Sequence, residues 1–431
     1  MKAGVEHADA FYLGARELNM RATAPNFSPS DFGRVVDFCH DRGVRVYLTT
    51  NVLVYDDEVP RLRSLLERAK EAEFDGVIVH DLAAVRVAKD LTLPFHVSTQ
   101  ANVSNSLAAK FYEDLGASRL ILARELSLEQ IRRVKASLRS AQVEVFAHGA
   151  MCTSVSGRCY FSQVVNCTPE RSANRGACTQ PCRLRFWGTI RCETGDQFDY
   201  DGVRFLNSRD LCTVAHVPQL VEAGVDALKI EGRARSAHYV ETVTRVYREA
   251  LDAHFAGTFT KKKVGRWVTE LKREYNRGFT TGFYFGKPRA EAQQHASPAN
   301  LSHFRLIEIG RVEAYDSAAG RATLKLTNGW LRKGMDVIFE GRTTETYFHQ
   351  RVGHLRVNGE RVNATAGGTP EEPVLVELVV DEAVVPRRDS AYLFTDATYG
   401  RRRKVGRASR RSGTRASRST GSRSRARYRL T

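Results

Sequence analysis

Short runs of β-branched and apolar residues alternate, over the first 230 residues, with longer stretches whose apolar positions recur at helical spacing. Seven short runs predict β-strands: residues 8–14, 44–51, 76–81, 95–100, 119–126, 143–150 and 227–233. Residues 59–74 place Leu62, Leu65 and Leu66 on one face, as an amphipathic helix does. The alternation predicts an α/β fold with a parallel sheet covered by helices.

Polar residues follow most of the predicted strands. Thr49 and Asn51 end the second strand, and Ser98 and Gln100 end the fourth. Active sites of (β/α) barrels form at such strand ends, so the pattern predicts a TIM-like (β/α) barrel. Seven strands are one short of eight, so we expect a barrel that lacks its first strand and exposes two sheet edges, unless residues 203–207 close it.

The pattern of predicted secondary structure changes after the predicted barrel. The expected regions are a barrel at 1–256 with a cysteine-rich insertion at 151–200, a helical and Gly/aromatic connector at 257–300, a small all-β barrel at 301–397, and a disordered Arg/Ser-rich tail at 398–431.

The basic charge of the chain is concentrated at its end. The formal net charge is +17, but residues 401–431 contain 13 Lys and Arg and no acid, and subtracting these 13 leaves +4 for residues 1–400. The sequence contains neither an apolar run of the ~20 residues that span a bilayer nor a secretory signal pattern. We therefore expect a cytoplasmic protein with no membrane partner.

Five of the eight cysteines lie between positions 152 and 182. Cys152 and Cys159 are seven apart, and Cys178 and Cys182 are four apart, so they are not the CxxC pairs of a zinc ribbon. Four thiolates on loops above a barrel would suit an iron–sulfur cluster. Buried free thiols and a redox pair are the alternatives.

The same segment is rich in arginine, with Glu170 as its one acid. The arginines are Arg158, Arg171, Arg175, Arg183, Arg185 and Arg191. They predict either an anion-binding surface around the cysteines or a solvated basic loop.

The last predicted strand ends in the sequence KIEGR. Alternation places Lys229, Glu231 and Arg233 on one face, so they enter the barrel mouth together if that face points inward. They are then catalytic candidates, or a mutual ion pair that closes the barrel. Each of the other strand-end candidates is weak by itself, and a lone strand histidine is more often a core residue. They are Asn19, Arg21, Gln100, Asn102, Arg124, Glu125 and His148.

Motifs of other enzyme classes are missing. The sequence contains no HExxH, no GxSxG elbow and no P-loop. Zinc-protease, α/β-hydrolase and NTPase functions therefore lack their characteristic residues.

Four segments together resemble peptidase family U32, the collagenase-like proteins. They are GAMCTSVSGRCYFSQ, RSANRGACTQPCR, KIEGRARSAHYV and YNRGFTTGFYFG, and the resemblance extends from residue 1 to about residue 395. The RSANRG and KIEGR segments are most similar to the ribosomal-RNA hydroxylation member and archaeal relatives. Family members generally begin with one strand more than this chain.

The resemblance implies iron–sulfur chemistry as well as the proteolysis in the family's name. Bacterial members support hydroxylation of a tRNA wobble uridine, a ribosomal-RNA cytidine or the ubiquinone ring, and some work in pairs. By resemblance, Cys152, Cys159, Cys178 and Cys182 bind a 4Fe–4S cluster, and prephenate or a related chorismate product donates oxygen. Extra residues between the second and third of these, including Cys167, depart from the family pattern.

The expected function is therefore hydroxylation of an RNA base. Expected catalytic residues are Glu231, Lys229, Arg233, His148 and Gln100, and expected substrate-binding residues are Arg158, Arg175, Arg183, Asn19 and Arg21. The alternatives are a U32-type peptidase, with Cys152 near His148 or Glu231 as its only candidates, and a noncatalytic RNA-binding protein with a structural cluster.

Overall fold

A computed structural model describes residues 1–396 except residues 23, 25, 169–170, 205 and 296–299. The tail expected at 398–431 lies outside the described residues. No helix in the described part of the chain is both long and apolar enough to cross a membrane.

A mainly parallel sheet and its helices form the first part of the described chain, up to residue 280. We call this part the barrel region. In chain order, the strands of this region are β1 Ala10–Gly14, β2 Arg45–Thr50, β3 Gly76–Val79, β4 Phe95–Val97, β5 Arg119–Ile121, β6 Gln142–Ala150, β7 Phe186–Arg191, β8 Gln197–Val203, β9 Asp210–Cys212, β10 Ala227–Ile230 and β11 Phe279–Thr280. Strands β7 and β8 form a separate hairpin, and the other nine form the main sheet. Strands β1 to β6 lie side by side in chain order, and β10 pairs in parallel with β6. The predicted parallel α/β architecture is confirmed.

Helices follow most of these strands. They are α1 Phe32–His40, α2 Val59–Glu71, α3 Leu82–Asp90, α4 Ser106–Asp114, α5 Leu128–Ser137, α6 Phe161–Asn166, α7 Val217–Glu222, α8 Ala237–Phe255 and α9 Lys261–Arg273. Asp81, Asn105, Ser127, Ser236 and Thr260 begin five of them by accepting a backbone N–H of the first turn.

The helices pack on the sheet through continuous apolar faces. Leu62 and Leu66 of α2 and Ile131 of α5 are fully buried in one cluster with Leu48 and Leu120 of the strands. This packing fixes the strand ends, where the loops of the site begin.

Closure of a barrel is not seen in the described residues. Strand β1 pairs only with β2, and β10 pairs only with β6, so two strand edges face each other. A cavity of about 540 Å³ lies between them, lined by Tyr12, Leu228 and Leu251 among others. Side chains bridge the gap: the Tyr12 hydroxyl donates to the Ile230 carbonyl at 3.1 Å.

The described residues of the segment 203–207, which exclude residue 205, do not close the sheet, contrary to one expectation. Val203 ends β8, which pairs only with β7 in a separate two-stranded hairpin. Instead, the three-residue strand β9 pairs antiparallel with the end of β6, and β11 pairs with β9. A strand of three residues is too short for an alternation pattern to reveal.

An antiparallel β domain follows. Its strands are β12 Phe304–Asp316, β13 Arg321–Leu326, β14 Asp336–Gly341, β15 Tyr347–Arg351, β16 Leu355–Val357, β17 Glu360–Val362, β18 Val374–Val379 and β19 Asp389–Asp396, in the order β15-β14-β19-β12-β13-β18-β16-β17. One face of this sheet buries the domain's own core, including Leu324, Phe339 and Val376.

Candidate active site at the strand ends

Glu231, just after β10, lies among three guanidinium groups. Arg21 Nη2 is 3.8 Å from Glu231 Oε2, and the Tyr12 hydroxyl is 3.4 Å from the same oxygen. Arg124 and Arg233 act on the same carboxylate electrostatically. Three positive charges and one negative charge meet at the carboxyl ends of the strands.

The ionisation of Glu231 reflects these neighbours. Burial alone raises the pKa of this carboxyl group, but Arg21, Arg233 and Arg124 outweigh burial and bring the pKa below its usual value. Conversely, burial and the Glu231 charge raise the pKa of Tyr12 well above its usual value. At neutral pH the carboxylate is therefore charged and the phenol is protonated.

Two polar atoms of this group have no partner among the described residues. Glu231 Oε1 and Arg124 Nε are buried and accept or donate no hydrogen bond. Arg124 is held by its other nitrogens, with Nη1 donating to the Ala150 carbonyl at 2.6 Å, and its guanidinium lies 3.9 Å from the Phe146 ring centre. Such unpaired atoms need a partner, and the cavity of about 40 Å³ beside them has room for a water or a small polar group.

Amide and hydroxyl groups complete the lining of this cavity. Asn51 Nδ2 donates to Ser98 Oγ and to Gln100 Oε1, both at 3.2 Å. Gly157 of the cysteine segment packs on Gln100, because a Cβ there would lie 2.8 Å from Gln100 Cγ, and its φ is +76°. The cysteine segment is thereby held directly over the strand ends.

Asn19 positions two of the arginines. It is fully buried, and its Oδ1 accepts the Arg21 backbone N–H at 2.8 Å and a hydrogen bond from Arg233 Nη2. The predicted residues Asn19, Arg21, Gln100, Glu231 and Arg233 thus meet at one site.

Lys229 lines the same cavity as Glu231, as alternation predicts, but its charge is paired with another carboxylate below the site. Its ammonium lies 2.7 Å from Glu144 Oε1 and 3.9 Å from the Tyr12 ring centre. Arg119 pairs with the other Glu144 oxygen at 3.1 Å and also binds Gln142. Lys229 therefore belongs to a buried ion-pair network one layer below the site.

His148 also lies elsewhere. It packs against Tyr239, Tyr247 and Phe279, and burial lowers its pKa to about 3. The register of β6 against β10 shifts beside Ala147, and this irregularity turns His148 from the inner face to the helix-covered face. His148 is a neutral core residue and no partner for Cys152.

The three arginines predicted to bind substrate from the cysteine segment have different surroundings. Arg175 is bonded to Glu58 and the Leu53 carbonyl, and Arg183 donates to the carbonyls of Met151 at 2.6 Å and Ser208 at 3.2 Å. Both arginines attach the cysteine segment to the barrel region, so their guanidinium groups are used in structural hydrogen bonds. Arg158 is exposed.

The four predicted cluster cysteines lie near one another. Burial raises the pKa of Cys178, and Cys152 and Cys159 raise it further; burial likewise raises the pKa of Cys182, with a contribution from Cys152. The Gln180 N–H donates to Cys178 Sγ at 3.4 Å. Thiols, neighbouring N–H donors and Arg21 form a donor set whose chemistry fits an iron–sulfur cluster.

The four thiols do not converge on one point in the described part of the structure. In the described part of the chain, no three His, Cys, Asp or Glu side chains are placed to share one metal ion. Binding a cluster would therefore require these side chains to change position.

Two residues of the site were not among the predicted site residues. Tyr12 was hidden inside the apolar strand run AFYLG, and Arg124 was one weak strand-end candidate among several. Arg124 follows the end of β5, so its strand-end position could have identified it as a site residue. Tyr12 lies in the middle of β1, where the sequence pattern does not distinguish it from its apolar neighbours.

The family of the chain follows from comparison with known proteins. The family model of peptidase family U32 matches residues 1–294. An uncharacterised protease of Methanocaldococcus jannaschii is 38% identical over 84% of this chain and 91% of its own length. A collagenase of Porphyromonas gingivalis is 35% identical over 91% and 94% of the two chains.

A relative with a different name matches nearly as well. A tRNA hydroxylation protein of Bacillus subtilis is 33% identical over 79% of this chain and 81% of its own length. Relatives with proteolytic and RNA-directed names thus both align with most of this chain. The chain belongs to peptidase family U32.

Proposed function

We propose that this protein hydroxylates a base of tRNA or rRNA with the help of a 4Fe–4S cluster bound by Cys152, Cys159, Cys178 and Cys182. The observation that carries the proposal is the excess of guanidinium over carboxylate beneath the cysteine segment. Arg21, Arg124 and Arg233 face a single acid there.

This excess supports binding of a small anion. Charges buried without partners are costly, and an anionic ligand would supply the missing negative charge. Guanidinium groups bind carboxylates through paired N–H donors. A dicarboxylate such as prephenate or a related chorismate product would fit this role as the oxygen donor.

The cysteines would supply the redox part of the site. Binding iron requires deprotonated thiols, and the raised pKa values of Cys178 and Cys182 mean that protons leave as metal binds. When bound, the cluster supplies one-electron transfer. The Arg21 charge lowers the pKa of Cys178 and so favours its thiolate form.

The remaining polar groups would orient the reactants. Glu231 is ionised, so it accepts a hydrogen bond or a proton from a bound base or donor through its free Oε1. Tyr12 is protonated and donates to Glu231. A base must leave its stack to reach groups at the strand ends.

Peptide hydrolysis is the rival function, because two relatives bear proteolytic names. A thiol peptidase needs a base beside its cysteine. His148 is buried on the opposite face of β6 with a pKa of about 3, which favours hydroxylation over this rival.

Mass spectrometry of nucleosides from a deletion strain tests the proposal. We expect one hydroxylated base of tRNA or rRNA to disappear and to return on complementation. Unchanged hydroxylated nucleosides would refute an RNA-directed function.

Metal analysis after anaerobic purification tests the cluster separately. Cys152→Ser is expected to lose most of the iron and sulfide, whereas the control Cys192→Ser, at an exposed hairpin turn, keeps both. An iron-free wild type that cleaves peptides would support the peptidase instead.

A further inference from the structure

The outer face of the β12–β19 sheet is divided into a covered part and an exposed part. On β14, β15 and β19, the side chains of Ile338, Tyr347 and Tyr392 pack with Ala3 of the barrel region. The Tyr347 hydroxyl also donates to Glu241 of α8 at 2.5 Å. The covered part therefore attaches the β domain to the barrel region.

The strand register extends the same face across β12, β13, β18, β16 and β17. Arg311 lies opposite Lys325, and Lys325 lies opposite Leu375. Arg356 lies opposite both Arg361 and Glu377. Directly opposed residues point to the same face, and residues 375 and 377 share it as i and i+2.

This exposed part, which we call the basic face, contains five cations. They are Arg311, Arg321, Lys325, Arg356 and Arg361, of which four are exposed and Arg321 is half-buried. Two apolar side chains lie among them, with Leu375 52% and Val379 59% exposed. Five strands at roughly 4.8 Å spacing give the face a width of roughly 19 Å.

The acids on this face do not neutralise it. Glu377 pairs with Arg321 at 3.6 Å, and Asp316 accepts the N–H groups of Ala318 and Ala319 at 3.0 and 3.1 Å. Arg311, Lys325, Arg356 and Arg361 make no ion pair with any other described residue. Two pairs of like charges thus face each other directly across strands, which is unfavourable until an anion lies between them.

We propose that the basic face binds the sugar–phosphate backbone of the RNA substrate, outside the segment that reacts; this inference rests on the proposed function. Unpaired lysine and arginine on a surface several phosphates wide match a nucleic-acid backbone. The exposed Leu375 and Val379 offer apolar contact to ribose or to an unstacked base. The domain would hold the RNA while the strand ends of the barrel region receive one base.

Fluorescence anisotropy with labelled bulk tRNA and with a short single-stranded RNA tests this proposal. The variant carries Arg356→Glu and Arg361→Glu. The control carries Lys110→Glu and Arg132→Glu, two exposed cations on α4 and α5 with the same total charge change. We expect the variant to bind at least about tenfold more weakly, with a salt slope smaller by about 1.4, and the control to bind nearly as the wild type does.

The outcomes separate this proposal from the proposed function. If the wild type binds RNA and the Arg356→Glu/Arg361→Glu variant binds it equally tightly, the proposed role of the basic face is wrong and the RNA-directed function is unaffected. Equal weakening in variant and control also overturns that role, as does preferential binding of polyglutamate or phosphatidylserine vesicles over RNA. Wild type that binds no RNA overturns the RNA-directed function itself. Circular dichroism melting checks that both variants are folded.

Discussion

Two layers of buried charge lie inside the same sheet, and they differ in completeness. In the lower layer, Glu144 is paired with Lys229 at 2.7 Å and with Arg119 at 3.1 Å. In the upper layer, the closest cation to Glu231 is Arg21 at 3.8 Å, and Glu231 Oε1 has no partner among the described residues. The lower layer is closed by its own contacts, whereas the upper layer has capacity left for a ligand.

The difference shows why one strand carries both structure and function. Lys229 is in β10, and Glu231 follows the last residue of that strand. Both side chains line the same cavity, two positions apart along the chain, which corresponds to about 6.6 Å between two side-chain layers. Their chemistry is set by what the neighbouring strands place at each depth. Charge pairing, and not residue type, therefore distinguishes the scaffold from the candidate site.

Glu144→Gln is expected to have the largest effect, because it leaves Lys229 and Arg119 buried without a counter-charge. We expect a loss of about 3–5 kcal/mol in the free energy of unfolding. Urea unfolding followed by circular dichroism measures it. A loss below about 1 kcal/mol would show that the lower layer is not a closed scaffold.

Glu231→Gln tests the upper layer. We expect hydroxylation to fall by about 100-fold or more, which is about 2.7 kcal/mol of transition-state stabilisation. The loss of stability should be smaller than for Glu144→Gln, since no cation lies closer than 3.8 Å in the described structure. The comparison fails if Glu231→Gln unfolds the protein more than Glu144→Gln does.

Glu113 is a buried carboxylate held mainly by backbone N–H groups, with one arginine, Arg139, at 3.5 Å. Burial alone raises its pKa, but the N–H groups of Ala141, Ser140 and Arg139 and the Arg139 charge lower the pKa to about 2. This stabilisation is complete above the ordinary glutamate pKa near 4.3 and is lost as the pH falls toward 2. We expect Glu113→Gln to cost about 2 kcal/mol at pH 7.

The pH dependence supplies the check on Glu113. The stability difference between wild type and Glu113→Gln should shrink steadily in urea unfolding measured between pH 5 and pH 3, the upper part of the window from about 4.3 to 2. A constant difference across that range would mean that the charge of Glu113 contributes nothing.

His148→Phe should have the smallest effect. A ring of similar size fills the space among Tyr239, Tyr247 and Phe279, so the expected cost is below about 1.5 kcal/mol with hydroxylation retained. Thermal melting and nucleoside analysis measure the two quantities. Loss of hydroxylation in a variant that remains stable would show that His148 is needed for the reaction.

Much of the fold was predictable because buried parallel strands are read directly from β-branched runs. All seven predicted strands are present, and the helix predicted over residues 59–74 is α2 Val59–Glu71. The gap between β1 and β10 agrees with the expected missing strand and its two exposed edges. The pairing of β9 with β6 was not predicted, because it depends on contacts between distant segments.

The site was predictable only in part. Strand-end position brought Arg21, Gln100 and Glu231 together, as expected for a parallel sheet. The place of His148 depended on a register irregularity in β6, which no alternation pattern contains. The partners of Arg175 and Arg183 likewise come from other loops, so charge alone did not reveal their structural use.

The most direct test of the account is nucleoside mass spectrometry of tRNA and rRNA from the deletion strain complemented with Glu231→Gln or with His148→Phe, at matched protein levels. We expect the hydroxylated base to return with His148→Phe and to stay absent with Glu231→Gln. Full restoration by Glu231→Gln, or no dependence of any hydroxylated base on the gene, would contradict it.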